Sequence, residues 1–285
     1  MHPTDLLVLT PQHPDFPIAA RAMARPPERL FLRGRLPQGR GLAVVGTRRA
    51  TTPALQFARG LAGEVCRAGW SVWSGGALGI DTAAHEGALD AGGKTVVVMG
   101  TGFDHLYPTS NRRLFDRVLD DGGAWLSPYP PDQSGTRWTF LPRNELLASL
   151  VSDVAIVQAP ARSGARSTTA AARRMGRNVW AVPTTPWDRV GAGCLAELQA
   201  GAKVLIDASQ IAGRGMVGAR RAPLPRDLSD AERAVIKAVA MAPANLDMIC
   251  DKTGLLAGEA SGAALTLTLR GVLLEGADGN YHRVG

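Results

Sequence analysis

Cysteine is scarce in this chain of 285 residues: there are three, Cys66, Cys194 and Cys250, odd in number and widely separated. No Cys-x-x-Cys pair occurs and no histidine stands close enough to complete a zinc set, which argues against a disulfide scaffold and a structural zinc site. Lysine is also scarce for so basic a chain, with only Lys94, Lys203, Lys237 and Lys252 among 32 basic residues. Aromatic residues make up 5%. No apolar run reaches the ~18 residues that a membrane span needs. The start, Met1-His2-Pro3-Thr4-Asp5, lacks the basic-then-apolar pattern of a secretory signal, so the expected compartment is the cytoplasm. No Gly-x-x-x-x-Gly-Lys-Ser/Thr sequence is present, which excludes a standard NTPase phosphate loop. No Ser/His/Asp or paired-carboxylate arrangement stands out, and no cofactor or metal set is expected.

What is present is an ordinary globular balance, 45% hydrophobic and 20% charged, with a net charge of +7. Arginine carries nearly all of the positive charge, and its planar fork suits bidentate contact with phosphate. The excess is compatible with nucleic-acid binding, although a high-GC genome also enriches arginine over lysine.

Six short apolar runs recur with helical patterns between them: Leu42-Ala43-Val44-Val45, Ser71-Val72-Trp73, Thr95-Val96-Val97-Val98-Met99, Asp153-Val154-Ala155-Ile156-Val157, Asn178-Val179-Trp180-Ala181-Val182 and Lys203-Val204-Leu205-Ile206. Their hydrophobicity is continuous rather than alternating, so both faces are buried, as in a parallel sheet covered by helices. The pattern predicts an α/β, Rossmann-like doubly wound domain over residues 41–212. Residues 1–40, rich in proline and arginine, read as an extended lead-in. Residues 213–227 read as a basic Gly/Pro linker. Residues 228–285 predict three helices and a hairpin, a small winged-helix domain, opened by the capping box Ser229-Asp230-Ala231-Glu232.

Ligands of doubly wound sheets bind beyond the carboxyl ends of the strands, so the loops there are the candidate sites. After the first run, Val45-Gly46-Thr47-Arg48-Arg49 offers Thr47 as a helix cap and Arg48 as an anion contact. After the second, Ser74-Gly75-Gly76-Ala77-Leu78-Gly79-Ile80-Asp81 offers a phosphate cradle of backbone N–H groups at a helix N-terminus, with Asp81 as a brace. This loop does not fit the Gly-x-Gly-x-x-Gly dinucleotide fingerprint. Before the strand at Asp153, Arg137-Trp138-Thr139-Phe140-Leu141-Pro142-Arg143-Asn144 interleaves cations with aromatics, the ingredients of a single-strand site. Ser163-Gly164-Ala165-Arg166-Ser167 opens another helix with free hydroxyls. Each also has a plain structural reading: solvated arginines, a glycine turn, core aromatics, helix caps. His85 reads as a packing residue.

Taken in order, Val45-Gly46-Thr47-Arg48-Arg49, Ser74-Gly75-Gly76-Ala77-Leu78-Gly79-Ile80-Asp81, Tyr107-Pro108, Phe140, Arg143-Asn144, Ser163-Gly164 and Gly176-Arg177-Asn178-Val179, followed by Leu228-Ser229, Thr253-Gly254-Leu255 and Tyr281, closely resemble the bacterial DNA-processing family DprA, also called Smf. The resemblance covers nearly the whole chain. It implies a non-enzymatic protein of natural transformation that binds incoming single-stranded DNA, relieves it of single-strand binding protein and loads the RecA recombinase onto it. It further implies a homodimer formed through the extended Rossmann domain; the N-terminal helical domain that many members carry is not in this sequence, which reads as a short member or a trimmed one. By motif match the family's basic pocket falls on Arg48, Arg137, Phe140, Arg143 and Asn144, with Ser74, Gly75, Gly76, Ser163 and Gly164 close by.

The chain departs from the family pattern at Ser127-Pro128, at Glu145 and at Pro183-Thr184. Glu145 would oppose phosphate unless it is paired or turned away. The alternative reading is a nucleoside-monophosphate hydrolase of the lysine-decarboxylase-like group. Its chemistry needs a carboxylate where this chain has Ser167-Thr168-Thr169-Ala170-Ala171-Ala172. A third reading is a nucleotide-sensing regulator whose winged helix binds duplex DNA.

Overall fold

Five of the six continuous apolar runs form strands buried on both faces, and the sixth, at Lys203, forms a short exposed strand at the sheet edge. In the computed structural model, which describes residues 5–213, 225, 227–240, 244–270, 272–275 and 279–283, the first strands and helices are β1 (Leu7–Leu9), α1 (Ile18–Arg21), β2 (Leu30–Gly34), β3 (Gly41–Val45), α2 (Thr52–Arg67) and β4 (Ser71–Ser74). There follow α3 (Ile80–Asp90), β5 (Thr95–Val98), α4 (Arg112–Asp120), β6 (Ala124–Ser127), α5 (Arg137–Ser149), β7 (Asp153–Ile156) and α6 (Ala165–Arg174). The series closes with β8 (Asn178–Ala181), α7 (Ala192–Gln199), β9 (Lys203–Val204) and α8 (Ser209–Ala212). The nine strands make one sheet in the order β1-β2-β6-β5-β4-β3-β7-β8-β9. From β6 to β9 all neighbours are parallel, with β3 paired to β4 through Leu42↔Val72 and to β7 through Val45↔Ile156. The chain thus reverses its direction of travel across the sheet at β3 and β7, which opens a crevice at their carboxyl ends.

Residues 1–40 do more than lead in. β1 and β2 add two antiparallel strands at the β6 edge, with Leu32 opposite Leu126 and Leu9 opposite Leu30. Their brevity and the surrounding prolines concealed them, and β6 was likewise missing from the apolar runs. Thr47 does not cap α2. Its hydroxyl accepts from Arg49 N at 3.2 Å, and the N-cap position falls on Thr51.

Helices cover both faces. On one, Leu61, Ala62, Val65 and Cys66 of α2, at helical spacing, pack with Ile80, Ala84 and Ala88 of α3 on Leu42, Val44 and Val72. On the other, Leu146 and Leu147 of α5 and Ala171 and Ala172 of α6 pack on Val45, Val154 and Ile156. His85, fully buried among them, has its Nδ1 2.8 Å from Thr95 Oγ1, and that hydroxyl donates to Val72 O at 2.7 Å. His85 is therefore a packing residue that ties α3 to β5 and β4.

The chain divides into two compact units, Met1–Val217 and Gly218–Gly285. Most of the expected linker, residues 214–224 and 226, lies outside the described residues, as do 276–278 of the expected hairpin turn. The second unit is a small winged helix: α9 (Asp230–Ala238), α10 (Leu246–Thr253), α11 (Ala257–Leu269), β10 (Leu273–Glu275) and β11 (Tyr281–Arg283). Its core gathers Val235, Ile249, Ala264, Leu267 and Leu273. The capping box is formed, Glu232 N donating to Ser229 Oγ and Ser229 N to the Glu232 carboxylate.

Candidate nucleic-acid interface

Gln158, just past β7, stitches the crevice together. Its carbonyl accepts from Thr47 N at 2.7 Å, and its side chain exchanges hydrogen bonds with the Thr51 backbone and hydroxyl. The loops after β3 and β7 are thereby held side by side. Over them lies α5, which the sequence did not place on a helix because Pro142 sits inside it and removes a backbone donor. Thr136 and Thr139 close the first turn of α5 with reciprocal hydrogen bonds. Helical spacing then puts Phe140, Arg143, Asn144 and Leu147 on the cleft side.

These elements enclose two adjoining cavities, of about 660 and about 440 Å³. The larger is lined by Arg112, Tyr107, Arg137 and Thr101, the smaller by Arg49, Asn144, Arg162 and Ser163, and Arg48 and Phe140 line both. Phe140 is half-buried, its ring lying against the backbone of Gly100, where a Cβ would come within 2.6 Å. It meets Tyr107, half-exposed, edge to face at 6.2 Å between centroids. The Arg48 guanidinium stands 5.8 Å over the Tyr107 ring, and that of Arg137 4.1 Å over the ring of Trp138, which is largely exposed. Among the described residues no carboxylate pairs with Arg48, Arg49, Arg112, Arg137 or Arg162; the ion pairs lie on other arginines. The crevice therefore combines unneutralised guanidinium groups with two accessible aromatic rings.

Not every expected residue faces the cleft as a free contact. Arg143 is buried, and its Nη1 donates to Gly75 O at 2.7 Å and Val98 O at 2.6 Å. Glycine at position 75 is what admits it, since a Cβ there would lie 2.1 Å from that nitrogen. On the other side of the same residue, the Asp81 carboxylate accepts from Gly75 N at 3.1 Å and Ala77 N at 3.3 Å. The N–H groups read as a phosphate cradle are thus already engaged by the protein's own carboxylate. Ser74, also buried, donates to Val44 O. Burial pushes the Asp81 carboxyl above its usual range while Arg143 pulls it down, and burial lowers Arg143 while Asp81 raises it. The two charges clamp the Gly75-Gly76-Ala77 loop from opposite sides.

Asn144 is also a brace, its amide donating to Ser167 Oγ at 2.7 Å and Gly164 O at 3.3 Å, which holds the loop that carries Ser163. Ser163 Oγ accepts from Ala165 N at 3.3 Å, and Gly164 occupies the N-cap of α6. Glu145, the departure that opposed phosphate, turns away to Arg174 on α6 at 2.8 Å. Tyr107, Arg112 and Arg162 were not picked out as site residues. Tyr107 stood within a Tyr-Pro motif whose chemistry the sequence did not disclose, and the two arginines lay among many others.

Residues 7–214 match the family described as DNA recombination-mediator protein A, and residues 219–279 the DprA winged helix domain. The chain is 31% identical to protein Smf of Synechocystis sp., over 96% of this chain and 79% of that protein. It is 38% identical to the putative DNA processing protein DprA of Mycobacterium tuberculosis, over 85% of this chain and 64% of the relative. Among solved structures it is similar to DprA of Streptococcus pneumoniae, with a TM-score of 0.68, 30% identity and 75% of each chain covered. It is also similar to DprA of Helicobacter pylori, described for its single-stranded DNA binding mode, with a TM-score of 0.64 and 28% identity over 74% of this chain and 96% of that one.

Proposed function

This chain belongs to the DNA recombination-mediator protein A (DprA) family, and on that premise we propose that it binds single-stranded DNA in the crevice above β3 and β7 and processes incoming DNA in natural transformation. In that role it shields the strand, displaces single-strand binding protein and loads the RecA recombinase, acting in the cytoplasm as a homodimer formed through the sheet domain. The observation that carries the reading is the convergence of five arginines without carboxylate partners around the edge-to-face pair Tyr107 and Phe140. Guanidinium groups hold phosphates and release counterions, while an aromatic face accepts any base. A site of that make-up binds single strands with little regard to sequence. The H. pylori relative's single-stranded DNA binding mode supports the same reading.

The crevice works as a binding site rather than a catalytic one. Of the two carboxylates that line the cavities, Asp81 is occupied by two backbone N–H groups and Asp104 stands exposed in the larger cavity, so no carboxylate pair faces a ligand there. The hydrolase alternative needs a carboxylate at the start of α6, whose sequence, Ala165 to Arg174, has none. The test is fluorescence anisotropy with single-stranded and duplex oligonucleotides of one sequence over a salt series. Tighter single-strand binding with a steep salt slope is expected. Equal affinity for duplex, or release of free base from a nucleoside monophosphate, refutes the reading.

A further inference from the structure

Four of the six tryptophans, Trp70, Trp73, Trp125 and Trp180, are buried, whereas Trp187 is 80% exposed. It stands on the loop between β8 and α7, at the same carboxyl edge of the sheet as the crevice. The loop is fastened from within. Asp188 accepts from the Thr184 hydroxyl at 2.6 Å and from Val190 N at 2.9 Å, and donates its own N–H to Thr185 O at 3.0 Å. This uses up the one carboxylate in the loop and presents the indole on a pre-formed turn, so little ordering entropy is lost when it is covered. Arg189 beside it is exposed and, among the described residues, has no carboxylate partner.

The loop adjoins the crevice through the backbone. Gly193 N donates to Ala159 O at 2.7 Å, and a Cβ on Gly193 would meet the Pro160 carbonyl at 2.6 Å, so the start of α7 is seated on residues 159 and 160. Pro160, Arg162 and Ser163 line the smaller cavity. Along the edge from β3 to β7 to β8, the loops therefore present Arg48 and Arg49, then Arg162, then Trp187 and Arg189. We propose that Trp187 and Arg189 form a second stacking station for single-stranded DNA, where a strand leaving the central cleft past Arg162 is held. The inference rests on the reading of the cleft given above. An exposed aromatic next to an exposed, unpaired arginine matches a polyanion with stacking faces better than an apolar protein surface.

Strand length separates the two stations. Oligothymidylates of about 4 and about 20 nucleotides, bracketing the sizes of single-strand sites, are titrated by anisotropy against the whole chain. Trp187→Ala is expected to leave the short strand within about twofold and to weaken the long strand about tenfold. Trp187→Phe, which keeps a ring, should restore most of the long-strand affinity. Arg189→Ala should flatten the log-log salt slope by roughly 0.7 for the long strand alone. Equal loss at both lengths, or no loss at either while the wild type binds, overturns the second station and leaves the cleft reading standing. The same holds if Trp187→Ala changes the oligomeric state but not DNA affinity. A wild type that binds neither strand overturns both.

Discussion

Replacing Arg143 with methionine distinguishes a DNA contact from a brace, a difference that an arginine in a basic pocket conceals. Methionine keeps the length of the aliphatic stem and removes the guanidinium. Two charge-assisted hydrogen bonds, to Gly75 O and Val98 O, are lost, and both carbonyls lose a buried partner. Bonds of this kind contribute about 1.5–3 kcal/mol each. Asp81, fully buried on the other side of the loop, loses the positive charge that offsets its desolvation. Removing one member of a buried charge arrangement costs about 3–5 kcal/mol. These contributions overlap, so we expect a total of about 3–5 kcal/mol, seen as a fall in Tm of roughly 6–20 °C for a domain of this size.

Thermal denaturation followed by circular dichroism, wild type beside variant, reads this directly. Gly75→Ala should behave alike, because its Cβ would lie 2.1 Å from the Arg143 nitrogen and displace it. At temperatures where both are folded, the salt slope of single-strand binding should match the wild type, since no phosphate contact is removed. An unchanged Tm with a slope flatter by roughly 0.7 would refute the reasoning and assign the guanidinium to a phosphate.

Arg48→Ala and Arg137→Ala, both at exposed residues, should leave Tm unchanged and each flatten the single-strand salt slope by roughly 0.7; unaltered slopes in both place the DNA elsewhere. Phe140→Ala should weaken single-strand binding by about 1–3 kcal/mol if its ring is a stacking platform. Its stability loss should stay below the ~3–5 kcal/mol of a core phenylalanine, and a destabilised variant with normal affinity once folded removes the stacking role. Burial pushes His85 down to about 3, against about 6.5 when unfolded, so the unfolded chain binds the extra proton and stability falls as pH drops from about 6.5 towards 3, by at most about 1.4 kcal/mol per pH unit. His85→Gln should flatten that limb of a urea-midpoint profile, and an unchanged limb would show that other groups set it. The tail from residue 223 should not bind duplex DNA at physiological salt, because Arg270, the cation at the end of α11, is held by Asp227 and Glu232; measurable duplex binding by the tail alone overturns this.

The parallel sheet was legible because strands buried on both faces must be apolar without interruption: all six runs became strands, five of them buried and the sixth a two-residue exposed edge strand. The winged helix was legible through Ser229 and Glu232, whose reciprocal bonds are purely local. β1 and β2 were not legible, because three and five residues among prolines give no period to read and β2 joins the sheet through β6, some ninety residues away. α5 was hidden by Pro142. Tolerance of that proline follows from tertiary packing, since Leu146, Leu147 and Ala148 beyond it are buried in the core and hold the helix in place.

Within the crevice, the sequence could select residues but not divide their work. Arg137 and Arg143 lie six positions apart on one helix and are chemically identical, yet one is exposed beside Trp138 and the other is buried against two carbonyls. The difference arises from which face of α5 each occupies and from a glycine sixty-eight residues earlier that leaves room for one guanidinium. Asn144 and Glu145 divide the same way, the first turned in to hold the Ser163 loop and the second turned out to Arg174. The motif residues therefore split into a hydrogen-bonded floor of Gly75, Asp81, Arg143 and Asn144, and an exposed rim of Arg48 and Arg137. A floor whose charges are spent on its own backbone holds the loop geometry without competing for ligand, which leaves attraction of a polyanion to the rim, where each arginine is removable at little loss of stability.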